Sequence, residues 1–228
     1  MTEDATVSAA TRQRMLLLAA AAGSVDAISY LGLGHAFPAN MTGNTVLLAI
    51  ALARGGDGSA LPGLIALVGF SLGVLAGGLT INRRRRWPAS ARRALATHTL
   101  ILLAIGLTRA FGGAPSVSTR DLLLGAAGLA MGLQSAAVMA ASTGGVATTY
   151  ITGTLTQALS RLATRLRSAR EDSRARRVRQ LAEVDWLLYA LGALGGALLE
   201  LHAPAGCYAL PFVLTAAVLV RRAGRRSA

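Results

Sequence analysis

Asp26 is a lone carboxylate inside an otherwise apolar run, Met15 to Gly34, and its setting suggests chemistry more clearly than that of any other residue. A carboxylate at the centre of a bilayer costs about 2.5–3.5 kcal/mol even on the most lenient insertion scale. Two readings follow: it binds a proton, a cation or a substrate, or it makes a structural hydrogen bond or ion pair, because buried charges are usually paired. Its candidate partners are Arg109, His98 and the amides of Asn40 and Asn44.

Two polar runs repeat a Thr-Gly pair at an offset of 110 residues. Asn40, Thr42, Gly43, Asn44 and Thr45 form the first, and Thr148, Thr149, Thr152, Gly153, Thr154, Thr156 and Gln157 the second. A threonine suits the start of a helix because its hydroxyl caps free backbone N–H groups, and the glycine after it permits close approach. The N-terminus of a helix also carries a partial positive charge and attracts an anion or a polar acceptor. If Thr42 and Thr152 each open a helix within the membrane, these residues line a site for a small polar or anionic solute. Equally, they serve only to cap helices and tie them together, as small polar residues do in membranes.

Other constellations are missing from the sequence. His35, His98 and His202 lie far apart with no acid at ligand spacing, and the single Cys207 has no partner thiol, so no metal, cofactor or internal disulfide is expected. No Ser/His, Cys/His or two-metal arrangement suggests an enzyme.

The elements that must position Asp26 and the Thr-Gly pairs are read from hydrophobic length. The chain has 228 residues, 53% of them hydrophobic, and a net charge of +13 whose arginines cluster between apolar runs rather than along one face, which argues against nucleic acid as partner. About 20 apolar residues cross a hydrocarbon core. Six segments meet or approach that length: Met15 to Gly34, Leu61 to Ile81, Ala94 to Gly113, Leu122 to Ala141, Val184 to Leu201 and Ala203 to Val220. The first is too long, and followed by too many others, to be read as a cleaved signal. Thr42 to Ala53 and Thr152 to Leu166 are too short or too polar to cross.

Arginine placement orients the chain, since cytoplasmic loops hold the excess positive charge. Arg83 to Arg86 with Arg92 and Arg93, the Arg161 to Arg179 stretch, Arg12 and Arg14, and Arg221 to Arg226 all fall on one side only if both Thr-Gly segments re-enter rather than cross. Each half then holds three crossings, so the second copy is inverted, the plan of many secondary transporters. The expected fold is all-α and membrane-embedded, with about six crossing helices and two re-entrant or broken ones. Residues 15–113 form the first repeat and 122–220 the second, with cytoplasmic tails at 1–14 and 221–228. Lipid is the expected surroundings, and a Gly-rich helix face offers a route to a homodimer.

The stretch Gly23-Ser24-Val25-Asp26-Ala27, then Phe37-Pro38-Ala39-Asn40-Met41-Thr42-Gly43-Asn44, with Thr148-Thr149 and Thr152-Gly153, resembles the YoaK family, domain of unknown function 1275. The resemblance covers nearly the whole chain. It implies a bacterial inner-membrane location and about six helices, and it brings no activity, substrate or catalytic residue. A small secondary transporter or channel is the first functional expectation, and a membrane scaffold or accessory subunit the alternative.

Overall fold

The computed structural model describes residues 9–55, 60–81, 88–141 and 173–220, and the side chains of these except residues 9 and 173–183. In chain order the helices are α1 (Ala9–Gly32), α2 (Met41–Ala53), α3 (Leu61–Thr80), α4 (Ala89–Phe111), α5 (Val117–Ala141), α6 (Ser173–His202) and α7 (Ala209–Val220), with a 3-10 turn at Pro204–Gly206 before the last. Among the described residues there is no strand. The second Thr-Gly segment, Thr152 to Leu166, lies outside them.

Among the described residues five helices are long and apolar enough to cross a membrane: α1, α3, α4, α5 and the Val184–His202 part of α6. The last expected segment is shorter, an apolar Pro204–Val220 that begins as the 3-10 turn. Four helices start earlier than hydrophobicity alone indicates: α1 at Ala9, α4 at Ala89 behind Pro88, α5 at Val117 and α6 at Ser173. Proline suits a helix start because it lacks the N–H that would have no partner there.

Helix directions follow from which residues meet. A Cβ on Gly192 would lie 2.0 Å from the Ala20 carbonyl oxygen, and one on Gly196 would lie 2.6 Å from that of Ser24, so α1 and α6 run parallel. The same holds for α3 and α5, where a Cβ on Gly73 would lie 2.2 Å from the Leu129 oxygen and one on Gly77 would lie 2.4 Å from the Ala136 side chain. Glycine is required at these positions, because a side chain would occupy the partner's backbone or, at Gly77, the Ala136 methyl. Helices in lipid associate through such small-residue seams, which let dispersion contacts build up along the backbones.

The remaining pairs are antiparallel. Gln134 Nε2 donates to the Leu18 carbonyl at 3.1 Å while Ile28 shares a core cluster with Leu123 and Leu124, which sets α5 against α1. Ser29 and Tyr208 hydroxyls pair at 3.3 Å and Leu18 clusters with Val218, which sets α7 against α1. His98 Nδ1 meets the Ala130 carbonyl at 2.8 Å, and α4 folds back along α5 after the short turn at residues 112–116. α1 and α5 are the most enclosed helices, with α1 buried on nearly every side from Leu18 to Ser29. By contrast, α3 and α6 expose Leu72, Leu75, Leu79, Leu191, Leu194 and Leu198, as lipid-facing helices do.

Since α1 and α3 run in opposite directions, the chain between them ends on the face where it began. Gly34 and Pro62 sit side by side there, 3.4 Å apart when a Cβ is placed on the glycine. Within the described residues α2 is therefore a non-crossing helix.

Candidate functional site

The site forms where the chain leaves α1. Gly34 at φ 109° and His35 at φ 60° turn it sharply back, and Tyr30 supports the turn by stacking on Phe37 and meeting His35 edge-on. A non-glycine residue at positive φ costs energy and persists only where its surroundings hold it. Residues Ala36, Pro38 and Ala39 are buried as the chain returns along the bundle.

Asp26 holds the far end of this return. It is 2% exposed; its Oδ1 accepts the Ala39 N–H at 2.6 Å and its Oδ2 accepts the Tyr189 hydroxyl at 2.6 Å. The Asn40 N–H also points at the carboxylate. Six residues separate Asp26 from the end of α1, so the loop re-enters by about 9 Å before α2 begins. The same rise puts Asp26 about 8 Å from the middle of the α1 span rather than at it.

The amides next to Asp26 act locally. Asn44 is 1% exposed and pairs with Phe37 through both atoms of its amide, accepting the Phe37 N–H at 2.8 Å and donating to its carbonyl at 2.6 Å. The N-cap of α2 is Asn40, whose Oδ1 accepts the Gly43 N–H at 3.2 Å; it is not Thr42, which lies one position inside the helix and is exposed. Asparagine one residue before the helix reaches the N3 N–H, a geometry closed to a side chain already inside the helix. Gly43 packs under Phe37 and Asn40.

Asn44→Ala removes both hydrogen bonds to Phe37 and leaves two backbone groups unpaired. The expected result is a loss of roughly 2 kcal/mol, seen as a lower unfolding midpoint in detergent and as faster proteolysis between residues 33 and 40.

Of the sequence-derived site, the structure brings together Asp26, Asn40, Gly43 and Asn44, and places Thr42 at the rim. Thr149, Thr152, Gly153 and Gln157 lie outside the described residues. None of the partners expected from side chains meets Asp26: Arg109 pairs with Glu200, His98 bonds to Ala130, and the Asn40 and Asn44 amides are engaged in the loop. The partners are backbone N–H groups and Tyr189. A tyrosine 163 residues away in a leucine-rich helix gives no local signal of such a role.

Arg109 and Glu200 form an ion pair at the same end of the bundle, with side chains 9% and 8% exposed, beside Cys207. It links α4 to α6 across the end of α1, where Gly32 leaves room for it. The crevice found among the described residues lies toward the other end. It is about 10 Å³, room for one water, and is lined by Arg14, Arg92, Leu95, Val218 and Leu219.

Apolar helices of bilayer length, closely packed along glycine seams and enclosing a polar loop, define a multi-pass α-helical membrane protein. The profile described as "Protein of unknown function (DUF1275)" matches residues 14–221, and the chain belongs to that family. It is 34% identical over 196 residues to UPF0700 transmembrane protein YoaK of Bacillus subtilis (strain 168), a match that covers 85% of this chain and 86% of that relative. No solved structure matches it.

Proposed function

We propose that the protein is a small secondary transporter or channel of the bacterial inner membrane, moving a small polar or anionic solute past Asp26 and the buried start of α2. One observation carries this reading: a helix that begins inside the span, with the backbone N–H groups of Ala39 and of its N-cap Asn40 held by a carboxylate from the neighbouring helix. In that arrangement Asp26 occupies the position an incoming anion or polar acceptor would take. A solute competes for the same N–H groups, and a proton on Asp26 weakens its acceptance of them; either frees the loop.

Glycine contacts that pair off as an inverted repeat would pair them support the reading. Gly23 meets Tyr189 and Ala193 of α6 as Gly132 meets Phe70 and Val74 of α3, and Gly192 meets Ala20 as Gly73 meets Leu129. One offset, 109, relates α1 to α5, and another, 119, relates α3 to α6, with α1 and α5 antiparallel. The same offsets make Ser135 the equivalent of Asp26 and Phe70 the equivalent of Tyr189, so the matching place between α5 and α3 has neither an acid nor a hydroxyl donor. Helix directions also support cytoplasmic termini, because among the described residues Arg12, Arg14, Arg92 and Arg93 lie toward the face where α1 starts and only Arg54, Arg109 and Arg120 toward the other.

The alternative, a scaffold or accessory subunit without transport, is favoured by the saturation of both Asp26 oxygens. Purified protein in liposomes separates the two: saturable flux of a solute first found by a metabolite-wide thermal-shift screen supports transport. Stabilisation by no small molecule, together with a co-purifying protein, supports the scaffold. Topology is tested by impermeant thiol labelling in a Cys207→Ser background. Arg54→Cys is expected to react from outside the cell and Arg85→Cys only after lysis; reaction of both from one side removes the re-entrant reading of α2.

A further inference from the structure

Two hydrogen-bond acceptors are left bare in the middle of the bundle, remote from Asp26. His98 is fully buried between α4 and α5, and its Nδ1 lies 2.8 Å from the Ala130 carbonyl. A carbonyl only accepts, so Nδ1 carries the proton and Nε2 presents a lone pair. Nε2 has no partner. Gln134 is fully buried as well; its Nε2 donates to the Leu18 carbonyl at 3.1 Å, which fixes the amide and leaves Oε1 without a partner.

The two residues meet at one turn of α5. In an α-helix the Ala130 carbonyl also receives the Gln134 N–H, so the His98 ring bonds to the turn that Gln134 ends. Leu18, His98 and Gln134 all lie within about 8 Å of the middles of their spans, displaced toward the face where α1 starts. Two buried lone pairs without a partner are unfavourable unless a donor reaches them.

The crevice lies one turn farther toward that face. Its lining includes Arg14, four residues before Leu18, and Leu95, three before His98. Two arginines at its mouth disfavour cations, and its size limits what enters to something like a water molecule.

We propose that His98 Nε2 and Gln134 Oε1 form a mid-membrane binding point for one small uncharged hydrogen-bond donor, water or ammonia, reached from the crevice at Arg14 and Arg92. The point is independent of the Asp26 site, and binding there does not require that the protein transport anything.

Nitrogen-15 NMR of the full chain in lipid nanodiscs, labelled at histidine and assigned with His98→Gln, tests it. The expected result is an Nε2 resonance shifted to that of a hydrogen-bonded acceptor, and a further shift in Gln134→Met, which keeps volume but removes the second acceptor. A shift that titrates with ammonium chloride at raised pH identifies ammonia, and one that ammonium chloride leaves in place identifies water as the donor. A wild-type resonance typical of an unbonded imidazole nitrogen, or one that Gln134→Met leaves in place, overturns the proposal. Should Gln134→Met fail to fold, the wild-type resonance decides alone.

Discussion

Gly192→Ala is expected to lower the unfolding midpoint of the purified protein by several degrees or abolish its folded yield, while Gly78→Ala leaves both unchanged. The added methyl at Gly192 would lie 2.0 Å from the Ala20 oxygen, 2.7 Å from its carbonyl carbon and 2.8 Å from its Cα. All three are backbone atoms, so no rotamer change makes room and α1 must move away from α6. Overpacking a filled core costs about 1–3 kcal/mol, and a chain of this size loses about 2–4 °C per kcal/mol. At Gly78, a Cβ meets nothing within 4 Å, so the only change is a better helix former on an exposed face. Gly73→Ala, in the α3/α5 seam, is expected to match Gly192→Ala. Thermal unfolding in one detergent measures all three, and equal midpoints for Gly192→Ala and Gly78→Ala would sink the seam.

Much of this architecture was legible because lipid imposes a length rule. Twenty apolar residues in a row have few other uses, so the second span falls where hydropathy puts it, and the first ends within two residues of its expected end while starting earlier, at Ala9. The failures have local causes. Hydropathy places the start of α4 at Ala94 because Arg92 and Arg93 interrupt the apolar run, yet the helix extends back through them to Ala89, with Pro88 at its N-cap. α7 runs only from Ala209 in place of Ala203, since Pro204 and the turn at Gly206 hold the chain off the helix.

The polar loop was legible as a set of residues and not as a set of bonds. Asp26, Asn40, Gly43 and Asn44 do come together, and the sequence distance between them is short enough for one turn to bring them there. The partners of Asp26 were not legible, because backbone N–H groups exist at every residue and leave no mark on composition. The same is true of His98. A lone histidine in an apolar helix reads as packing until the carbonyl beneath it and the glutamine one turn away are seen together.

Asp26→Ala is expected to be the most destabilising single change in the loop, and its coupling to Tyr189 is what distinguishes a carboxylate that holds the fold from one that also serves transport. Removing the carboxylate leaves the Ala39 N–H, the Asn40 N–H and the Tyr189 hydroxyl buried without an acceptor. Each unpaired donor costs about 1–3 kcal/mol, enough together to remove most of the folded protein. Tyr189→Phe removes one donor and leaves the carboxylate two, so its cost stays at about 1–3 kcal/mol. Combined with Asp26→Ala it adds almost nothing, because the hydroxyl then has no acceptor to lose; the expected coupling is roughly 1–3 kcal/mol. Asp26→Asn keeps an oxygen for the Ala39 N–H and an amide that can donate to the Tyr189 oxygen, so it retains much of the stability. That variant is therefore the one to place in liposomes: loss of saturable flux with the fold intact ties the negative charge to transport, and flux at the wild-type level takes Asp26 out of the mechanism and leaves it as the anchor of the re-entrant loop.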